Sequence, residues 1–125
     1  MKLLLDTHVF LWLNVDDPKL TQPARKVIDQ AQEIFVSAAT FWELAVRISR
    51  GSLAADLEAL KSALHSNGFS LLPITLEHAC ATAGLPWHHR DPFDRMLVAQ
   101  AISEPLRLLT SDRQLEAYTD LVIRV

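Results

Sequence analysis

Five acidic residues stand where the chain changes character. Asp6 ends an apolar run, Glu43 lies inside a helical pattern, Asp91 and Asp94 open another such pattern, and Asp112 follows a later apolar run. Carboxylates gathered in one cleft repel strongly unless cations screen them, so acids that converge form a metal site. Oxygen-only ligation selects Mg²⁺ or Mn²⁺ over zinc, and magnesium keeps waters and binds phosphate oxygens alongside a few carboxylates. The chemistry this implies is phosphodiester hydrolysis, with a cation polarising water and offsetting charge on the phosphoryl oxygens.

Each acid also has a plainer role. Asp91-Pro92-Phe93-Asp94 has the make-up of a helix cap, since both charges and the proline suit a helix N-terminus. Asp6 and Asp112 can cap the elements that follow them, and Glu43 can pair with Arg47 one turn on, an interaction worth only tenths of a kcal/mol. Convergence of the acids is what separates the two readings.

The elements that must position these residues alternate. Met1–Leu5, Ile34–Val36, Phe69–Leu72, Leu106–Leu109 and Leu121–Val125 are short apolar runs that read as strands. Helices are expected over Val9–Asn14, Thr21–Gln32, Ala38–Ser49, Leu53–Asn67, Thr75–Ala83 and Asp91–Ser103, punctuated by Gly51, Gly68 and Gly84. Strands alternating with helices predict an α/β fold: one domain over residues 1–125, with a mostly parallel sheet of four to five strands flanked by helices. In such a sheet the carboxyl ends of the strands share one crevice, which is where Asp6 and Asp112 fall.

In order and spacing, LLLDTHVFLW, SAATFWELAVR, DPFDRMLVAQA and LLTSDRQL cover essentially the whole chain. Together they resemble the PIN-domain family, and within it the VapC-like toxins of bacterial toxin–antitoxin pairs. The resemblance implies an endoribonuclease whose metal-binding and catalytic residues are Asp6, Glu43, Asp94 and Asp112. It further implies Asp91 as an auxiliary acid, Thr7 and Ser111 as supporting hydroxyls, a homodimer, and an antitoxin that blocks the site. His8 stands where many members carry Asn.

Arg47, Arg95 and Arg113 lie near the acids and are expected to hold RNA phosphates, for which the guanidinium fork is suited. His88 and His89, beside Pro86, are expected in an exposed loop and not as metal ligands. Phe41 is expected in the core, while Trp12 and Trp42 are open to base stacking or partner contact.

Composition sets the remaining bounds. Half of the 125 residues are apolar and 22% are charged, values typical of a globular chain, with no apolar run long enough to span a membrane. Asp6 interrupts the first apolar run before a signal-peptide core forms, and the lone Cys80 cannot form an internal disulfide. A cytoplasmic protein is expected. The net charge of −3 disfavours a broad basic nucleic-acid surface, although clustered acids neutralised by metal would conceal a positive rim. The alternative reading is a catalytically silent module whose acids dock a basic partner. A haloacid-dehalogenase-type phosphatase is disfavoured because Asp6-Thr7-His8 lacks the second Asp of such sites.

Overall fold

The computed structural model describes residues 1–125. Its strands are β1 (Lys2–Leu5), β2 (Glu33–Ser37), β3 (Ser70–Leu72), β4 (Arg107–Thr110) and β5 (Val122–Arg124). Six helices intervene: α1 (Thr7–Asn14), α2 (Gln22–Gln30), α3 (Ala38–Ser49), α4 (Leu57–Ser66), α5 (Leu76–Ala81) and α6 (Pro92–Ser103), with short 3₁₀ turns at Thr82–Gly84 and Arg113–Ala117. All strand pairings are parallel, and the order across the five-stranded sheet is β3-β2-β1-β4-β5.

β1 is apolar throughout its buried length because a central parallel strand is covered on both faces. Leu3 and Leu5 pack with Val9 and Phe10 of α1, Ala24 and Ile28 of α2, and Leu60 and Leu64 of α4. Leu4, between them, points the other way, into a cluster with Leu97, Val98 and Ala101 of α6 and Leu108 of β4. Each fully buried leucine stabilises the fold by roughly 1.5–3 kcal/mol, so β1 pins both layers at once.

Local signals fix where the helices begin and end. The Ser37 hydroxyl accepts from Ala39 N–H and starts α3 directly after β2; Thr21 does the same for α2 through Ala24 N–H. Asp56 accepts from the amides of Glu58 and Ala59, so α4 begins at Leu57 and not at Leu53 as its apolar spacing suggested. Gly51 and Gly68 adopt positive φ at the ends of α3 and α4, a conformation in which a Cβ would be strained.

Chain order reverses between β1 and β4. From β1 the chain moves outward to β2 and β3, then crosses back through α6 to β4 on the other side of β1. Neighbouring strand ends therefore diverge in their connections, leaving a crevice at the carboxyl edge where side chains from several elements meet.

Candidate metal centre

Four elements deliver the acids to that crevice. Asp6 follows β1, Asp112 follows β4, Glu43 lies on α3 where it leaves β2, and Asp94 sits in the first turn of α6. The register explains the phase at the sheet edge. Leu4 pairs with Leu108 and Leu5 with Leu109, so the next step carries Asp6 alongside Thr110, on the face shared by Leu4 and Leu108 and covered by α6.

Hydrogen bonding decides between capping and convergence. Asp6 occupies the N-cap position of α1 yet makes no side-chain cap bond; its Oδ2 accepts from the Thr110 hydroxyl at 2.5 Å. Asp91 does cap, accepting from the amides of Phe93 and Asp94, and Asp112 caps through Gln114 N–H while its second oxygen turns elsewhere. Glu43 is buried and forms no ion pair with Arg47. The Thr7 hydroxyl meets that of Thr40 at 3.1 Å within the same buried layer.

His89 joins the cluster from the loop before α6. Its Nδ1 accepts from the Asp91 amide at 3.0 Å, which places the ring proton on Nε2. That Nε2–H faces Asp112 Oδ2 at 3.0 Å and Asp94 Oδ2 at 3.3 Å, tying the two carboxylates together.

The electrostatics are those of acids pressed together out of water. Burial raises Asp6 above the usual carboxylate range, against the lowering effect of the Thr110 hydroxyl. Burial likewise raises Glu43, against the lowering effect of the Thr7 hydroxyl, with Asp91 and Asp6 adding repulsion. Asp94 is pushed up to about 8, by burial first and then by the charges of Asp6, Asp91, Glu43 and Asp112. All four acids named from the sequence motifs therefore sense one another or share partners.

Two buried oxygens, Asp6 Oδ1 and Glu43 Oε1, have no hydrogen-bond partner. An orphaned buried carboxylate oxygen costs on the order of 1–3 kcal/mol or more, and natural folds rarely leave one without a use. Hard oxygen donors, clustered like charges and orphaned lone pairs fit a divalent cation such as Mg²⁺ or Mn²⁺. Asp6, Glu43, Asp94 and Asp112 would hold it.

The profile of the PIN domain matches residues 3–121, from the first strand to the edge of the last. This chain belongs to the PIN-domain family. Ribonuclease VapC22 of Mycobacterium tuberculosis (strain ATCC 25618 / H37Rv) is 30% identical over 120 residues, an alignment covering 92% of this chain and 90% of that protein. Among solved structures, FitAcB from Neisseria gonorrhoeae superposes with a TM-score of 0.70 at 20% identity, covering 98% of this chain and 96% of the other. VapBC2 from Rickettsia felis, bound to a DNA fragment from its promoter, gives 0.68 at 16% identity, covering 100% and 98%. These last two likenesses speak to the fold.

Three sequence-based expectations change within this PIN domain. Arg95 is buried and holds no free guanidinium for phosphate: its Nη atoms donate to the carbonyls of Thr82, Leu85 and Pro86 and to the Tyr118 hydroxyl. It braces the loop carrying His89. The supporting hydroxyl at the end of β4 is that of Thr110, whereas Ser111 is exposed, one step out of phase with Asp6. His89 is half-buried against Asp94 and Asp112 and not part of an exposed loop, while its neighbour His88 is exposed. Thr110 was detectable in principle by its phase with Leu108; His89 carries no such signal, because Asp112, which its Nε2 meets, lies beyond β4. Arg47 is half-buried and Arg113 exposed, and neither forms an ion pair.

Proposed function

We propose that this chain is a Mg²⁺- or Mn²⁺-dependent endoribonuclease of the VapC kind, acting on RNA in the cytoplasm as a homodimer and silenced by a cognate antitoxin. The observation that carries the reading is the pair of partnerless buried carboxylate oxygens, Asp6 Oδ1 and Glu43 Oε1, in a cluster where burial and the neighbouring acids push Asp94 up to about 8. A protein fold tolerates that arrangement when a cation supplies the missing charge. The comparisons add direction: the 30%-identical relative is a ribonuclease by name, and the fold is shared with a chain of a toxin–antitoxin complex from Klebsiella pneumoniae.

In this reading Asp6, Glu43, Asp94 and Asp112 hold the metal, which when bound supplies Lewis acidity and eases deprotonation of water. Thr110 fixes the rotamer of Asp6, and Thr7 with Thr40 supports the same buried layer. Asp91 fixes the first turn of α6, so that Asp94 enters the crevice at a set height. His89 Nε2–H keeps the Asp94 and Asp112 carboxylates adjacent. Arg47 and Arg113, uncommitted within the fold, receive the phosphates flanking the scissile bond.

The test is cleavage of single-stranded RNA by purified protein with each ion, against an Asp6→Asn variant and a chelator control. Cation-dependent cutting lost in the variant is expected. An absence of cutting with either ion, together with equal Mn²⁺ affinity in both proteins by calorimetry, would leave the silent-module alternative.

A further inference from the structure

We propose that the groove between α3 and the start of α6 is a nucleobase subsite, in which Trp42 and Trp87 receive an unstacked base of single-stranded RNA while Arg90 meets its phosphate. The proposal rests on the ribonuclease reading and names a determinant of substrate choice within it.

The groove has a volume of about 370 Å³ and is lined by Trp42, Trp87, Phe93, Met96, Ala39 and Arg90, among others. That size lies at the low end for small-ligand sites, which run from roughly 300 to 1,000 Å³, and suits one nucleoside better than a partner helix. Its wall is built from the backbone that presents the carboxylates: Trp42 precedes Glu43 on α3, and Asp94 lies between the groove residues Phe93 and Arg95 on α6.

Both indoles are open to solvent, with Trp42 59% and Trp87 76% exposed. Neither hangs loose. Trp42 packs edge-to-face on Phe93 with ring centroids 4.9 Å apart, and the Arg95 guanidinium carbon sits 3.8 Å from the Trp87 ring centroid. The buried arginine is itself held by three loop carbonyls and the Tyr118 hydroxyl, so its cation–π contact fixes Trp87 to the scaffold. Exposed aromatic faces set in place before any ligand arrives are what base stacking requires, since every nucleobase offers a π-face. Arg90, exposed and in no ion pair, supplies the charge complementary to phosphate.

The experiment separates this proposal from the reading beneath it. Binding of single-stranded oligoribonucleotides to cleavage-blocked Asp94→Asn protein is followed by quenching of tryptophan fluorescence, alone and combined with Trp87→Ala, Trp87→Phe and Trp42→Ala. Each alanine variant is expected to weaken binding by about 5- to 100-fold, the range for loss of one stacked base, with Trp87→Phe recovering most of it. In the active background the same alanine changes should raise KM more than they lower kcat and should shift the cut positions found by sequencing RNA ends.

If the protein binds RNA through these indoles yet never cuts, the subsite stands and the nuclease reading falls. Unchanged affinity and cut positions in both alanine variants would overturn the subsite. So would alanine variants whose only effect is loss of self-association in sedimentation, because the groove would then be an interface between copies.

Discussion

Two buried polar clusters lie at different places in this domain, and only one of them is complete. The first joins β2, α5 and α6: Ser37 donates to Gln100 Oε1, the Gln100 amide donates to the Pro73 carbonyl, and His78 accepts from Thr75 N–H while its Nε2 meets Glu104. None of its side-chain polar atoms is orphaned. The second, at the carboxyl edge, gathers Asp6, Glu43, Asp94 and Asp112, all of one charge type, and leaves Asp6 Oδ1 and Glu43 Oε1 without partners. Both have buried members, Ser37, Gln100 and His78 in the first and Asp6 and Glu43 in the second, but only the first is satisfied. A satisfied network holds the fold together by itself, whereas an unsatisfied one of like charge marks where the fold has been shaped around something it must bind.

Removing a charge from the incomplete cluster should have opposite effects on activity and on stability. Asp94→Asn is expected to lower RNA cleavage on the order of 10³-fold, the scale for losing a principal electrostatic contributor to the transition state. The same change should stabilise the metal-free protein at pH 8. An Asp94 carboxyl with a folded pKa of about 8, against about 3.9 unfolded, binds more protons when folded. Its contribution is therefore fully present below about pH 4 and lost as pH rises towards 8, and the raised Asp6 and Glu43 act in the same sense. Thermal melts in chelator should fall by about 5–10 °C from pH 5 to pH 8, and Mn²⁺ at pH 8 should restore the loss, because ligands bind metal deprotonated. A melting temperature that climbs over that pH range without metal would contradict the electrostatic account of the site.

The complete cluster should behave in the opposite manner. Gln100→Ala strips the partner from the Ser37 hydroxyl and the Pro73 carbonyl inside the protein, so a loss of about 2–4 kcal/mol is expected in urea unfolding. Mn²⁺ affinity measured by calorimetry should stay within about two-fold of wild type, since energetic coupling between separate clusters is small. A large drop in affinity would mean that this network, through Ser37 at the head of α3, also sets the placement of Glu43.

The difference between the clusters also bears on what the sequence could reveal. Strand and helix alternation exposed the parallel sheet, because apolar runs such as Leu3-Leu4-Leu5 have few other uses in a chain of this size. The ends of elements were less visible. Asp56 shortened α4 by a side-chain cap that competes with the apolar spacing from Leu53, and the apolar run at Leu106–Leu109 sits one residue before the strand that forms. The hydroxyl that the resemblance implied at Ser111 is supplied instead by Thr110, the last residue of β4, whose side chain shares the phase of Leu108 and meets Asp6. The acids were readable through their motifs, each beside a recognisable element boundary. His89 and the structural use of Arg95 were not, since His89 depends on Tyr118 and Asp112, and Arg95 on Tyr118 and carbonyls of the preceding loop, which come together only in the folded chain.

His89 offers the finest probe of the comparison, because its ring is the side chain that meets two acids of the incomplete cluster at once. Its Nε2–H bonds Asp112 Oδ2 at 3.0 Å and lies 3.3 Å from Asp94 Oδ2, so a cation that uses those oxygens must draw them from the imidazole. Two forces then oppose each other. Losing the histidine frees the carboxylates for metal, and it also loosens their alignment. The ring is anchored by the Asp91 amide, and α6 is independently capped by Asp91 Oδ1, so Asp94 should keep its place when the ring is gone. Release should win: His89→Gln is expected to tighten Mn²⁺ binding by about two- to five-fold, under 1 kcal/mol, as for other exchanges of a partly solvated hydrogen bond. Calorimetric titration at fixed pH measures this directly. Weaker binding in the variant would show that His89 organises the donors for the cation, and would move it from competitor to support.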